Sequence, residues 1–184
     1  MAPSTTTTTN KRIKYQMITA TYIDHMGSDL SVVNAARVSF GKKSKWEGGS
    51  HPDFDPVFKL SERDTKLINY LAKHKHISPF GHCFASFHVK APVFVARQLV
   101  KHSYLRWNEI SRRYVDDEPE FYEPDVWRGR SADKKQGSEG VVDVGDWGDA
   151  NWACLVAYKD LLGHGVAPEQ ARMVLPQSTM TEWY

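Results

Sequence analysis

The sequence predicts an α/β chain of the α+β type, and three observations carry that reading. Helical spacing and strand-type alternation are mixed along the whole length. The two do not follow the regular strand-helix repetition of a doubly wound sheet. At 184 residues, 41% hydrophobic and 25% charged, the chain is long enough for one core of ordinary size. One domain over residues 13–184 is expected, behind a tail over residues 1–12 whose Pro3, Ser4 and five consecutive threonines favour disorder.

Residues 13–23 carry Ile13, Tyr15, Ile18, Thr19, Thr21, Tyr22 and Ile23, the β-branched and aromatic types that predict a first strand. Asp24 to Gly27 break it, and Ser28-Asp29 cap a helix with Leu30, Val33, Ala36 and Arg37. The Gly-, Lys-, Ser-, Asp- and Pro-rich stretch 41–56 reads as loop. Ser61 with Asp64 gives a capping-box-like start to a helix whose Leu67, Ile68 and Leu71 keep helical spacing and which ends near His74. Phe84, Ser86, His88 and Lys90 alternate with Ala85, Phe87, Val89 and Ala91, a strand, and Pro92 opens a helix that carries Arg97 to Arg106. Residues 129–146, polar and Gly-rich, read as a mobile loop before a helix at 147–163 with Trp147, Trp152, Leu155, Tyr158 and Leu162. Gly163 and Gly165 end it, and Pro168-Glu169 open a short last helix.

Composition bounds the function. No apolar run approaches the roughly 20 residues of a membrane helix, and the N-terminus lacks the apolar core of a secretory signal. Two cysteines, Cys83 and Cys154, imply no disulfide framework, so two buried thiols in the cytoplasm are expected, the host cytoplasm for a viral chain. A net charge of +2 argues against the whole surface binding nucleic acid, but the charge is locally unequal. Arg97, Lys101, Arg106, Arg112 and Arg113 precede an acidic block, Asp116, Asp117, Glu118, Glu120, Glu123 and Asp125, which lacks calcium-loop spacing and reads as a solvated loop.

Chemistry concentrates in the run from Arg97 to Tyr114. On a helix, Arg97 and Lys101 fall four residues apart, as do Gln98 and His102, so a cationic row stands beside an amide and an imidazole. Asn108, Glu109, Ser111 and Tyr114 add groups that read base edges, and the set suits a phosphorylated, planar ligand. The stretch His74 to His82, with His88, matches no zinc signature and reads as a loop that touches a ligand, with no metal. There is no G-x-G-x-x-G and no Walker loop, and neither cysteine sits in a nucleophile motif.

Several ordered segments then resemble the flavin-dependent thymidylate synthases, from about residue 17 to residue 184. They are Gly27-Ser28-Asp29-Leu30, Asn34 to Phe40, His76 to His82, Phe87 to Gln98, Asn108-Glu109-x-Ser111-x-Arg113-Tyr114, Ala171 to Pro176 and Thr181-Glu182-Trp183-Tyr184. The resemblance implies an antiparallel sheet packed with helices and a homotetramer with active sites shared between subunits. It implies that Ser39, Ser78, Lys101, His102, Ser103, Asn108 and Glu109 lie along FAD. Gln98, Lys101, Glu109, Ser111, Arg113 and Arg172 would address dUMP, with Glu109, Ser111 and Arg172 at the reacting centre and Ser111 a positioning group, not a nucleophile. Methylenetetrahydrofolate would give the carbon and NADPH would reduce the flavin, so that the cofactors supply the difficult chemistry while protein groups position charge and ring.

Three departures from the family pattern stand out. Lys101-His102-Ser103 replaces Arg-His-Arg, keeping one cation and the imidazole and losing a bidentate fork. Gly81 replaces a carboxylate after the Pro-Phe pair. Family members also continue past the Thr-Glu-Trp-Tyr segment into a helical part that contributes an arginine and a histidine to the dUMP and flavin sites, whereas this sequence ends at Tyr184. That implies a truncated domain, one piece of a split gene completed by a separate C-terminal fragment, or a nucleotide-binding subunit without activity. Hydroxymethylation of a pyrimidine nucleotide and, from another class, a nucleic-acid-binding module are the alternative readings.

Overall fold

The computed structural model describes residues 13–48, 58–133, 137–145 and 148–184. The expected disordered tail, part of the 41–56 loop and Trp147 lie outside these. The chain divides into two compact units, Tyr22–Phe87 and a larger one made of Met1–Thr21 and His88–Tyr184.

The smaller unit contains most of strand β1 (Thr19–Met26), helix α1 (Asp29–Arg37), helix α2 (Glu62–Lys73) and the first half of strand β2 (Phe84–Pro92). β1 is shifted from the expected 13–23: it begins at Thr19 and runs through Asp24 to Met26. Before Thr19 the side chains are strand formers outside any strand of the described residues, and Tyr15 forms an isolated bridge with Phe121. The break falls at Gly27, whose φ is +85° and whose added Cβ would stand 2.7 Å from Cys83 Sγ and 2.8 Å from His82 O. Ser28 then caps α1 as expected, with its N–H donating to Ser31 Oγ at 3.1 Å.

α1 buries Val32 and Val33 and fixes the loop that follows. Asn34 donates to Ser44 O at 3.3 Å and accepts from Ser44 N at 2.7 Å. Ser61 Oγ accepts from Asp64 N at 3.1 Å and starts α2, which ends before His74 as its pattern predicts. The Asp64 carboxylate is drawn elsewhere, into a buried pair with Arg37, whose Nε donates at 3.0 Å. Cys83 and Cys154 are half-buried free thiols, more accessible than expected.

In the larger unit the second half of β2 pairs antiparallel with strand β5 (Met180–Trp183), in the register Val89 to Trp183 and Ala91 to Thr181. Helix α3 (Val93–Leu99) follows β2 at once, with Pro92 as its cap. Ala91, Ala96 and Trp183 form the buried centre, with Val89, Val95, Leu99 and Trp107 packed on it. The helix expected to reach Arg106 stops at Leu99. Val100 is β-branched, and His102 and Ser103 are weak helix formers, so the chain leaves through turns in which Leu99 O accepts from His102 N at 3.1 Å.

Strands β3 (Arg128–Arg130) and β4 (Ser138–Val141) form a hairpin where a mobile loop was expected. Glu139 holds it together, accepting from Ser131 Oγ at 3.3 Å and Ala132 N at 3.2 Å, while Gly129 allows the strands to close, since a Cβ there would lie 2.8 Å from Glu139 O. Helix α4 (Gly148–Gly163) buries Leu155 and Tyr158, and helix α5 (Pro168–Ala171) runs into a 3₁₀ turn over Arg172–Val174. The acidic block is only partly solvated, because Glu118 pairs with Lys159 at 2.6 Å and Glu120 pairs with Lys90. Among the described residues no helix is long and apolar enough to cross a membrane.

Candidate functional site

The segment Asn108–Ile110 is built into the sheet edge. Asn108 N donates to Tyr184 O at 3.3 Å, Tyr184 N to Asn108 O at 3.1 Å, and Ile110 N to Glu182 O at 2.9 Å. Both backbone groups of Asn108 are thereby used, and its side chain is exposed. Glu109 projects from this bridge half-buried, and each of its carboxylate oxygens has a donor. Thr181 Oγ1 donates to Oε1 at 2.7 Å and Trp107 Nε1 to Oε2 at 3.0 Å. Trp107 is itself set by stacking on Trp183, ring centroids 4.6 Å apart at 21°. The carboxylate is therefore fixed in position, as an acceptor, by the strand that closes the chain.

Beyond Ile110 the chain turns sharply. Ser111 O accepts from Tyr114 N at 3.0 Å, and Ser111 Oγ accepts from Arg113 N at 3.3 Å, a bond that does not use the hydroxyl proton. The two arginines of the turn separate by role. Arg112 donates to Asp117 O at 2.8 Å and holds the loop, whereas Arg113 is exposed and meets Glu169 at 3.6 Å. Arg172 Nε donates to Glu169 O at 3.3 Å. Both cations are thus anchored on the first turn of α5. The Arg113–Glu169 pair is open to solvent and worth little.

The cationic row expected on one helix does not exist, since Lys101, His102 and Ser103 lie in the exposed turns after α3. Lys101 Nζ donates to Gln98 Oε1 at 3.2 Å, so amide and ammonium form one polar group at the helix end. Lys101, His102 and Ser103 thus put a cation, an imidazole and a hydroxyl in consecutive exposed positions. Ser39, in the 3₁₀ turn after α1, and Ser78, at the start of the 3₁₀ turn Ser78–His82, are both exposed and belong to the smaller unit. His74 and His76 lie tilted against the Tyr70 ring, centroids 4.3 and 6.0 Å away, and no cluster of three metal-capable side chains occurs among the described residues.

Sequence reasoning did not single out Thr181, Trp107 or Glu169. The first two act through a strand pairing and a ring stack between segments some 70 residues apart, and Glu169 read only as a helix-start acid.

A family model described as "Thymidylate synthase complementing protein" (Thy1) matches residues 21–184. The flavin-dependent thymidylate synthase of Thermus thermophilus is 41% identical over 166 residues, which cover 88% of this chain and 56% of that protein. That of Kosmotoga olearia is 42% identical over 172 residues, 88% of this chain and 67% of the relative. The chain therefore spans little more than half the length of the Thermus protein. Among solved structures, the UMP/dUMP methylase PolB of Streptomyces cacaoi bound with 5-Br dUMP aligns with a TM-score of 0.74 at 32% identity, over 94% of this chain and 74% of that one.

Proposed function

This chain belongs to the flavin-dependent thymidylate synthase family, and from that premise we propose that it serves the methylation of dUMP to dTMP, with FAD, methylenetetrahydrofolate and NADPH. The observation that supports this best is Glu109, held through both oxygens, on the same short segment as Ser111 and Arg113. One fixed acceptor, one free hydroxyl proton and exposed guanidinium groups suit a phosphorylated pyrimidine nucleoside.

In this reading Arg113 and Arg172 take the phosphate of dUMP, with Lys101 and Gln98 completing the polar rim. Ser111 donates its hydroxyl proton to the nucleotide, and Glu109 accepts from donors on nucleotide and flavin. Asn108, Lys101, His102 and Ser103, with Ser39 and Ser78, hold FAD. Flavin held by these residues would supply the carbon-transfer and hydride chemistry, while this chain's residues fix the ring and neutralise charge.

Assembly as a homotetramer with shared sites belongs to the same proposal. In the smaller unit Tyr22, Ile23 and Met26 on β1 and Phe84 on β2 are all exposed, apolar side chains that an assembly contact would cover. A cytoplasmic setting accords with the two free thiols.

The test supplies the purified chain with dUMP, FAD, methylenetetrahydrofolate and NADPH and weighs the product. Formation of dTMP with anaerobic bleaching of bound flavin is expected. A product of hydroxymethyl-dUMP mass would move the reading to hydroxymethylation. Binding of dUMP without turnover, with turnover restored by adding the segment by which the relatives exceed this chain, would mean that residues outside this sequence complete the site. Loss of both flavin and dUMP binding even with that segment would overturn the proposal.

A further inference from the structure

His88 is a titratable side chain that the site above does not use, and it stands where three segments of the larger unit meet. It lies in the second half of β2, beside β5, in the register Val89 to Trp183 and Lys90 to Glu182. Along its other edge β5 bonds to the Asn108–Ile110 segment. Successive side chains of a strand point to opposite faces, so β5 is two-sided. Thr181 and Trp183 serve Glu109, one through its hydroxyl and the other through the Trp107 stack. Glu182 and Tyr184 lie on the opposite face, with His88. Its Nε2 is 3.5 Å from Glu182 Oε2, and its ring lies tilted against that of Tyr184, centroids 4.9 Å apart at 31°.

The two residues that His88 touches are the two of β5 whose backbones carry the candidate nucleotide segment. Tyr184 exchanges bonds of 3.1 and 3.3 Å with Asn108, and Glu182 O accepts from Ile110 N at 2.9 Å. A side chain that holds Glu182 and Tyr184 in place therefore also sets Asn108, Glu109 and Ile110, and with them the turn that presents Ser111 and Arg113. The His88 and Glu182 side chains are 32% and 39% exposed, so water screens their contact only in part.

The charged groups around the imidazole are few. On β2 the same face carries Lys90, which is drawn to Glu120. β5 brings Glu182 and the Tyr184 phenol, while Glu109 lies on the opposite face with both oxygens occupied. Asn108 and Ile110 carry no charge, and the part of β1 in this unit, Thr19–Thr21, has no titratable side chain. Glu182 is the carboxylate that meets His88. An imidazole changes charge between about pH 5 and 8; charged, it attracts a carboxylate, and neutral, it only packs. We propose that His88 is a positioning residue for the nucleotide site: its imidazolium draws Glu182 and through β5 fixes the Asn108–Arg113 segment, so that dUMP binds more tightly when His88 is charged. This rests on the reading of that segment as the dUMP site.

The test is calorimetric titration of the full chain, supplied with FAD, with dUMP at about pH 6 and about pH 8, the two ends of the imidazole range. His88→Phe, which keeps a ring against Tyr184 and removes the charge, and Glu182→Gln are titrated beside it. At the lower pH each variant should bind dUMP about threefold more weakly than the wild type, and at the higher pH all should bind alike. The phosphate of dUMP titrates equally in every sample, so the ratio of affinities reports the protein. The double variant His88→Phe/Glu182→Gln should lose no more than either single one. Where His88→Phe fails to fold, Glu182→Gln, at a partly exposed position, carries the test alone. Losses that are independent of pH, losses that add in the double variant, or no loss at all would overturn the role of His88 and leave the proposed function standing. No binding of dUMP by the wild type, even with the segment by which the relatives exceed this chain, would overturn the proposed function and this role together.

Discussion

Thr181 is the residue on which the geometry of Glu109 most depends, because its hydroxyl is buried and donates at 2.7 Å to one carboxylate oxygen. Thr181→Val keeps the shape and removes the donor, and should weaken dUMP binding by about 1 kcal/mol with little change in melting temperature. Thr181→Ser should restore most of it; equal loss in both variants would assign the effect to packing. Asp64 carries the other strong residue-level expectation. Burial raises its pKa, but hydrogen bonds from Arg37, Ser44 and Ser61, with the Arg37 charge, outweigh that and hold it below the ordinary carboxylate value. A depressed folded pKa stabilises fully above the unfolded value and is lost as pH falls through the folded one. Asp64→Asn should therefore cost about 3–5 kcal/mol at neutral pH, and its deficit in melting temperature should narrow only below about pH 4. A deficit that narrows already between pH 7 and 5 would show that another group governs. At this scale Glu109, Ser111 and Arg113 were legible because their types and spacing are themselves the signal. Thr181 and Trp107 were not, because their role exists only once β5 is paired.

Among the elements, Gly27 ends β1 through both its φ and its contacts. Gly27→Ala should cost about 1–3 kcal/mol, more than Gly41→Ala, where φ is also positive but nothing lies within 4 Å of an added Cβ. Denaturant unfolding of the two variants separates the terms, and equal costs would mean that contact with Cys83 and His82 contributes nothing. The helices were legible wherever a cap and a spacing coincided, as at Ser28, Ser61 and Pro168. The α3 helix was overextended because Arg97 to Arg106 has helix-forming types at its ends but β-branched Val100 and the His102-Ser103 pair in its middle. β5 was missed because four residues containing Thr181 and Glu182 carry no apolar alternation, and its strand character comes from β2 on one edge and Asn108–Ile110 on the other. The β3–β4 hairpin was hidden for a similar reason, being held by Glu139 and Arg128 and not by hydrophobic pattern.

For the whole molecule, the exposed apolar side chains of β1 and the start of β2 are where the proposed assembly contact is tested. Ile23→Glu combined with Phe84→Glu should shift the protein toward monomer in sedimentation, and an unchanged mass would place the assembly contact elsewhere. The fold class was legible from mixed patterns alone, whereas the antiparallel pairing entered through resemblance and is now seen in the β2–β5 register. The central claim is that the Asn108–Arg113 segment, with Arg172, forms a dUMP site. Its most direct measurement is the affinity of the chain, supplied with FAD, for dUMP beside that of Arg113→Ala. The account predicts a loss of at least about 1.5 kcal/mol, roughly tenfold, on removing the guanidinium; dUMP bound equally well by both proteins would contradict it.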